Sequence, residues 1–247
     1  LYRMIGGMGI GVASIVSPIY ISEISVAKYR GSMVSLYQLA ITVGFLAAYL
    51  VNFLLSGLSV ERIFSNPALY KIFNAEVWRA MLGMESMPAL MFLLMLFFVP
   101  ESPRWLIMKN KPSTGENILF RIYKSEKEVS NQIATIKEST ATETRSEWAW
   151  LLKPGIFRAV LIGVAIAMLG QFMGVNAVLY YGPTIFEESG LSKGDSLFYQ
   201  VMVGIVNMGT TVIALLIIDK VGRKKLVYWG VSGMIIALVL IGLYFIF

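Results

Sequence analysis

Six long apolar runs constrain the fold of this 247-residue chain more than any other feature. An α-helix needs about 20 predominantly apolar residues to cross the hydrocarbon core of a bilayer. The six runs cover residues 1–22, 33–55, 79–99, 157–182, 197–218 and 226–247. Pro183 is expected to close the fourth of these helices. Backbone polar groups must be satisfied within the protein in lipid, and a helix does so by itself. The sequence therefore predicts an all-α protein that crosses a lipid bilayer six times.

Composition excludes several kinds of chemistry. The chain has no cysteine and no histidine, so it forms neither a disulfide nor a thiolate or imidazole metal site. Any proton transfer must use carboxylates, with Arg or Lys as partners. No cofactor is predicted. A membrane-embedded enzyme is disfavoured, because the sequence shows no metal-ligand cluster and no serine paired with a base.

Positive charge predicts the orientation in the membrane. The breaks between runs alternate sides, with residues 23–32, 100–156 and 219–225 on one side and 56–78 and 183–196 on the other. With Arg158 at its edge, the first set holds sixteen Lys and Arg residues and the second set three. Lys and Arg favour the cytoplasmic side, so the first set is predicted to be cytoplasmic. The net charge of +6 is thereby explained as a topology signal, and nucleic acid is not predicted as a partner.

The polar stretch in the middle of the chain predicts a division into three parts. Residues 1–100 and 157–247 each hold three predicted membrane helices. Residues 101–156 between them are polar and mixed in charge, which is typical of amphipathic helices at the cytoplasmic surface. Short helices are predicted at 104–108, 115–124 and 126–139.

The fourth apolar run carries the strongest indication of function. Gln171, Asn176, Tyr180 and Tyr181 place two amides and two phenols at bilayer depth. A buried amide without a partner costs about 2–7 kcal/mol. The glycines of this run either admit a neighbouring helix or mark a point where the helix loosens beside a cavity. Because amides are neutral donors and acceptors, we predict a hydroxyl-rich, uncharged solute here.

The second apolar run adds a polar stripe. Its members lie within about 80° of one another on one helical face, at 100° per residue; they are Gln38, Thr42, Phe45, Tyr49 and Asn52. Such a stripe faces the interior of a helix bundle. It either forms hydrogen bonds between helices or contacts a substrate, and the pattern alone leaves both open. The fifth run likewise contains Gln200 and Asn207.

Two ionisable side chains fall inside predicted membrane helices. Arg3 precedes a glycine-rich string that predicts close helix packing, and Glu85 lies early in the third run. A charge at this depth normally faces a partner or a water-filled cavity. The two residues are predicted to belong to a buried polar cluster that is either structural or part of a proton relay.

Three helices end at the cytoplasmic side with an acid followed by an arginine. The pairs are Glu23 with Arg30, Glu101 with Arg104, and Asp219 with Arg223. A single exposed pair contributes only about 0–1 kcal/mol. Three pairs at corresponding positions predict an interlocking network that holds two halves together and releases them, as alternating access requires.

In this order and at these membrane positions, the motifs resemble the sugar porter family of the major facilitator superfamily. They are Arg3 to Gly11, Pro18…Glu23…Arg30-Gly31, Trp78-Arg79, Pro100 to Trp105, Gln171…Gly174-Val175-Asn176…Tyr180-Tyr181 and Asp219…Gly222-Arg223-Lys224. The resemblance covers essentially the whole chain. It implies the fourth to ninth of twelve helices, and within the family it is strongest to the bacterial D-xylose–proton symporters.

The resemblance also implies roles for individual residues. Gln38, Gln171, Asn176 and Asn207 are similar to sugar-hydroxyl ligands, and Tyr180 to a residue that lines the site. Arg3 corresponds to the partner of a proton-accepting aspartate on the first helix of the family, and Glu85 to a third member of that cluster. Two positions depart from the family: Gly170 replaces a glutamine, and Phe45 replaces a glutamine of the xylose symporters. Both changes predict a less polar pocket.

The implied function is secondary active transport of a pentose or hexose across the cytoplasmic membrane by alternating access, with a proton as co-substrate. A passive facilitator of a sugar or polyol is the first alternative. A transporter-like sugar sensor, which would use the same pocket and signal through a soluble domain, is the second.

Overall fold

The structure is a computed structural model that describes residues 2–27, 29–61, 66–142 and 153–246. Every regular element in these ranges is helical, which confirms the predicted all-α class. The α-helices are α1 Tyr2–Ile24, α2 Arg30–Glu61, α3 Pro67–Tyr70, α4 Val77–Met84, α5 Ser86–Leu96, α6 Pro103–Met108, α7 Pro112–Tyr123, α8 Glu126–Thr142, α9 Pro154–Phe172, α10 Val175–Glu188, α11 Lys193–Val221 and α12 Arg223–Ile246. A π-helical turn, Lys71–Ala75, follows α3.

Six helical segments of the described ranges are long and apolar enough to cross a membrane. They are Met4–Ile24, Arg30–Gly57, Val77–Leu96, Gly155–Glu188, Lys193–Ile218 and Lys224–Leu243. Each contains one of the predicted runs or most of it. The helices extend beyond the runs where polar residues continue them. For example, α11 begins at Lys193 because the Ser192 hydroxyl oxygen accepts the Asp195 N–H at 3.2 Å and caps the first turn.

The fourth apolar run is not one continuous helix, and it does not end at Pro183. It divides into α9 and α10 at Gly174, whose φ of 77° lies in the left-handed region that glycine adopts without steric cost. Pro183 lies inside α10, which continues to Glu188. The sequence-based expectation that Pro183 closes the helix is therefore wrong.

The third apolar run is also interrupted. Glu85 separates α4 from α5, and Pro88 follows in the first turn of α5. Proline has no N–H, so it cannot satisfy the carbonyl four residues before it, that of Met84. The interruption at Glu85 follows from this lost hydrogen bond.

The two sets of membrane helices meet chiefly where α2 packs against α11. Gly204 of α11 is buried at this contact, and a Cβ added there would lie 2.8 Å from Cδ2 of Tyr49. Leu55 and Val201 are buried in the same region, and the rings of Phe53 and Phe198 lie 5.9 Å apart. The close approach of α2 and α11 therefore depends on the absence of a side chain at Gly204.

The short helices predicted for the polar stretch between the two sets of membrane helices are present as α6, α7 and α8. They enclose a small apolar core of Ile107, Leu119 and Val129. Gly115 lets α7 approach α6, because a Cβ there would lie 3.0 Å from Cγ1 of Ile107.

The glycines of α1 have open space around them among the described residues. A Cβ at Gly6, Gly7, Gly9 or Gly11 would meet nothing within 4 Å outside the helix itself. Large apolar side chains such as Met4, Met8 and Ile15 are exposed along the same helix. The close packing that the sequence predicts for these glycines stays a prediction.

We expect Gly204→Val in the full-length protein to lower the thermal unfolding temperature measured in detergent. The added methyl groups would collide with Tyr49 and Leu46, and overpacking of this kind costs about 1–3 kcal/mol. Gly209→Val on the same helix is the matched control, because a Cβ there meets nothing within 4 Å. Equal unfolding temperatures for the two variants would contradict the close packing.

Candidate functional site

The break between α9 and α10 brings two of the predicted sugar ligands into direct contact. The side-chain amide of Asn176 donates a hydrogen bond to Oε1 of Gln171 at 2.7 Å. Both side chains are exposed. Once this bond is made, Gln171 still offers its NH₂ donors and Asn176 still offers its Oδ1 acceptor. The pair therefore presents a donor and an acceptor side by side, a combination that suits a vicinal pair of hydroxyls.

Tyr180 connects this region to the polar stripe of α2. Its ring meets the ring of Phe45 edge-on, with centroids 6.2 Å apart and an interplanar angle of 62°. It is also 65% exposed, so the contact with Phe45 leaves most of its surface available. Gln38 lies two turns before Phe45 on the same side of α2 and is likewise exposed. Phe45 and Tyr180 thus meet across the boundary between the two sets of membrane helices.

One member of the α2 stripe is satisfied within its own helix. Thr42 is only 3% exposed, and its hydroxyl donates to the backbone carbonyl of Leu39 at 2.9 Å. This bond answers the open question for Thr42 in favour of a structural role. The stripe therefore contains residues with different tasks.

A second member of the stripe, Tyr49, bonds across to the other half. Its hydroxyl donates to the backbone carbonyl of Leu179 in α10 at 2.9 Å. The same carbonyl accepts the Gln200 side-chain amide of α11, also at 2.9 Å. For Tyr49 this is the bond between helices that the sequence pattern left open as one alternative, whereas the pattern assigned no task to Gln200. The sequence does contain a signal for a free carbonyl at Leu179, because Pro183, four residues later, has no N–H to donate to it.

Asn207 lies apart from the amide pair. It lines a cavity of about 500 Å³ between α10, α11 and α12 whose walls are almost entirely apolar, among them Val178, Met202 and Leu238. Gly174, at the break, borders this cavity as well. The walls of this cavity include neither Gln171, Asn176 nor Tyr180, and the contact of Asn207 with a sugar stays a prediction.

The proposed proton-coupling residues are on separate helices. Glu85 is exposed at the interruption between α4 and α5. Arg3 belongs to α1, but its side chain lies outside the described part of the structure. Their pairing with each other or with an aspartate stays a prediction.

The C-terminal end of α1 is bonded to the segment that begins α6. The Ser102 hydroxyl donates to the Glu23 carboxylate, and the Tyr20 hydroxyl donates to the Pro100 carbonyl at 2.8 Å. Ser102 also caps α6, because its Oγ accepts the Trp105 N–H at 3.4 Å. Glu23 is thus anchored by a serine that the sequence pattern did not single out.

The other members of the predicted charge network are only partly described. Arg30 and Glu101 are exposed at the start of α2 and before α6, and Arg104 is half-buried in α6. The side chains of Asp219 and Arg223 lie outside the described residues. The three acid–arginine pairs stay a prediction.

We expect Ser102→Ala in the full-length protein to lower the unfolding temperature, because it removes both the bond to Glu23 and the helix cap. Loss of such a cap costs about 0.5–2 kcal/mol. Ser102→Thr should restore most of the loss, since threonine also caps helices. Ser14→Ala is the control, because the Ser14 hydroxyl bonds only to a carbonyl of its own helix. An unfolding temperature for Ser102→Ala equal to that of Ser14→Ala would contradict the role of Ser102.

Comparison with known proteins assigns the whole chain to one family. The sequence model of the family described as "Sugar (and other) transporter" matches residues 1–247. The D-xylose-proton symporter of Escherichia coli strain K12 is 39% identical over 247 residues, which is 98% of this chain and 47% of that protein. The arabinose-proton symporter of Bacillus subtilis strain 168 is 40% identical over 245 residues, 99% of this chain and 51% of that protein.

Solved structures agree with the sequence comparison. The proton:xylose symporter XylE bound to 6-bromo-6-deoxy-D-glucose, a major facilitator superfamily protein, gives a TM-score of 0.74 at 37% identity over 91% of this chain and 45% of that chain. A partially occluded inward open conformation of XylE from E. coli gives 0.73 at 36% identity over 91% of this chain and 46% of that chain. The chain therefore spans about half the length of the relatives it matches.

Proposed function

The chain belongs to the Sugar (and other) transporter family, and we propose that the protein carrying it transports a monosaccharide across the cell membrane by alternating access. The fold is that of the major facilitator superfamily, as the structural match to XylE at a TM-score of 0.74 establishes. The relatives described above are named as proton symporters of xylose and arabinose. We extend the substrate class, a pentose or hexose, from them to this protein.

The amide pair at the helix break carries the proposal. Gln171 and Asn176 are bonded to each other where α9 ends and α10 begins, and each keeps one polar group free of that bond. At a break, the last carbonyls and the first amides of the two helices also lack partners within their own helix. Discontinuous membrane helices are the usual location of transporter substrate sites. A neutral solute with several hydroxyls matches these groups better than an ion does.

The arrangement of the helices supports alternating access. The amides lie on the α9–α10 side, whereas Gln38 and Phe45 lie on α2 of the other half. Phe45 of one half and Tyr180 of the other are in edge-on ring contact, which involves neither a covalent bond nor an ion pair. A solute bound between them would contact both halves, and rocking of one half against the other would expose it to each side in turn.

We further propose that transport involves no catalytic step on the sugar. The family and the relatives named above are transporters. Within residues 2–27, 29–61, 66–142 and 153–246, no three His, Cys, Asp or Glu residues lie together in a group suited to a metal ion. The residues proposed for the site are amides and phenols, which bind hydroxyls, and they include no carboxylate pair of the kind that most glycoside hydrolases use.

We expect Gln171→Ala and Asn176→Ala in the full-length protein each to weaken binding of the transported sugar about 2–10-fold. Each change removes hydrogen bonds whose net contribution is about 0.5–1.5 kcal/mol apiece. The measurement is sugar affinity by isothermal titration on purified protein, over a panel that includes xylose, arabinose, glucose and galactose. Asn131→Ala is the matched control, an exposed amide of the cytoplasmic helix α8. Unchanged affinity in both site variants, with expression maintained, would remove them from the site.

Proton coupling is tested separately from binding. We expect Glu85→Gln or Arg3→Leu to abolish uphill sugar uptake while sugar counterflow continues, because exchange needs no net proton movement. Glu187→Gln, at an exposed acid near the end of α10, is the control for the loss of a charge. Uphill accumulation that survives both site variants would remove Arg3 and Glu85 from proton coupling, whereas an unmodified protein that never accumulates sugar uphill would favour the passive facilitator.

A further inference from the structure

Pro183 frees one backbone carbonyl in the middle of a membrane helix. In an α-helix, the N–H of residue i+4 donates to the carbonyl of residue i, and proline has no N–H to donate. Pro183 lies inside α10, four residues after Leu179. The Leu179 carbonyl is therefore the one that loses its intrahelical partner. In lipid, an unsatisfied carbonyl costs several kcal/mol, of the order that transfer scales give for buried polar groups.

Two side chains from different helices occupy this carbonyl. Tyr49 of α2 donates its hydroxyl and Gln200 of α11 donates its amide, each at 2.9 Å. The two donors differ in one respect that matters for transport. Gln200 and Leu179 both belong to the membrane helices that follow residues 101–156, whereas Tyr49 belongs to the membrane helices that precede them.

The Gln200 contact is enclosed and tightly fitted. Gln200 is 2% exposed, and Gly182 of α10 is buried against it. A Cβ at Gly182 would collide with the Gln200 side-chain amide, so only glycine leaves room for it. Oε1 of Gln200 has no hydrogen-bond partner among the described residues and lies against this glycine. The fit fixes the Gln200 amide group, and with it the Nε2 donor, beside the Leu179 carbonyl.

The Tyr49 contact is less enclosed. Its hydroxyl reaches Leu179 across the boundary between the two sets of membrane helices, and the side chain is half-buried. The ring of Tyr49 stacks near that of Phe45, which in turn meets Tyr180 of α10. When the halves separate where α2 meets α10, the Tyr49 hydroxyl must leave the Leu179 carbonyl. Gln200 need not, because it belongs to the same half as Leu179.

We propose that the Leu179 carbonyl is a releasable contact between the two halves, with Tyr49 and Gln200 as positioning residues of the sugar site. Gln200 holds the carbonyl in every state of the cycle, so that it is never left without a donor. Tyr49 adds a second bond only when the halves are closed on this side, and it thereby sets the position of Tyr180 and Asn176 relative to α2. This inference rests on the proposed function, because it assigns a task within the transport cycle.

The test measures, in the absence of sugar, how far the ends of α2 and α10 move apart. In the full-length protein, with any cysteines outside this stretch replaced, spin labels at Leu54→Cys and Glu187→Cys report the distance between the ends of α2 and α10. Both positions are exposed. We expect Tyr49→Phe to shift the ratio of closed to open distances about three- to tenfold toward open. Tyr37→Phe, at the other tyrosine of α2, is the matched control and should leave the ratio unchanged.

Pro183→Ala makes the test specific to the carbonyl. Alanine restores the N–H at position 183, so the Leu179 carbonyl regains a partner within α10 and depends less on the two side chains. We expect Tyr49→Phe to shift the ratio by less than half as much, on a logarithmic scale, in the Pro183→Ala background. An equal shift in both backgrounds, or no shift in either, would overturn the proposal.

Gln200 is tested by rescue. We expect Gln200→Met, which keeps the volume but removes the donor, to weaken sugar affinity about three- to tenfold, and Pro183→Ala to restore most of it. Rescue is the decisive readout, because a purely space-filling role of Gln200 would not respond to an N–H added at position 183. Failure of rescue would remove Gln200 from the proposal.

The carbonyl contact and the transport function can fail separately. The distances are measured without sugar, so they report on the Tyr49 contact whatever the substrate is. Sugar counterflow by the Tyr37→Phe protein tests the proposed function without disturbing the carbonyl. A normal distance shift with no transport of any sugar would contradict the function but not the contact.

Discussion

The need to satisfy the Leu179 carbonyl within the membrane determines how the two halves of this structure meet. Pro183 removes its natural donor, and lipid offers no replacement. Tyr49 and Gln200 supply two donors from two other helices. Gly182 and Gly204 then become structural requirements, because side chains at these positions would displace Gln200 and Tyr49. One missing N–H thus brings donors from α2 and α11 to a single carbonyl of α10.

The same membrane span contains a second discontinuity with a different consequence. At Gly174 the helix stops and restarts, and the Gln171 and Asn176 amides meet across the break. At Pro183, farther along α10, the helix continues but one carbonyl bonds to neighbouring helices. In the proposed function the first discontinuity presents polar groups to the sugar, whereas the second presents the Leu179 carbonyl to Tyr49 and Gln200. Helix α10 connects the two, because it carries Asn176 and Tyr180 as well as Leu179.

The six membrane crossings and the helices of the cytoplasmic segment were predictable, because apolar length and periodicity do not depend on distant contacts. For the glycines of the fourth run, the sequence left open whether they admit a neighbouring helix or loosen the helix, so the division at Gly174 was one of two alternatives. The prediction that the helix ends at Pro183 was wrong. A proline normally ends a helix unless neighbouring groups satisfy the freed carbonyl, and those neighbours, Tyr49 and Gln200, are 130 and 21 residues away in sequence from Leu179. Ser102 was missed for the same reason, since its partner Glu23 is 79 residues distant.

The proposed function depends most on the Gln171 and Asn176 amides, which are set at a helix break within the membrane and would bind the hydroxyls of a neutral sugar. A structure of the full-length protein with its transported monosaccharide bound tests this most directly. We predict both amides within hydrogen-bond distance of sugar hydroxyls, in a chamber bordered by Gln38 and Phe45 of the other half. A bound sugar that contacts neither amide, with both side chains turned toward lipid or toward other helices, would contradict it.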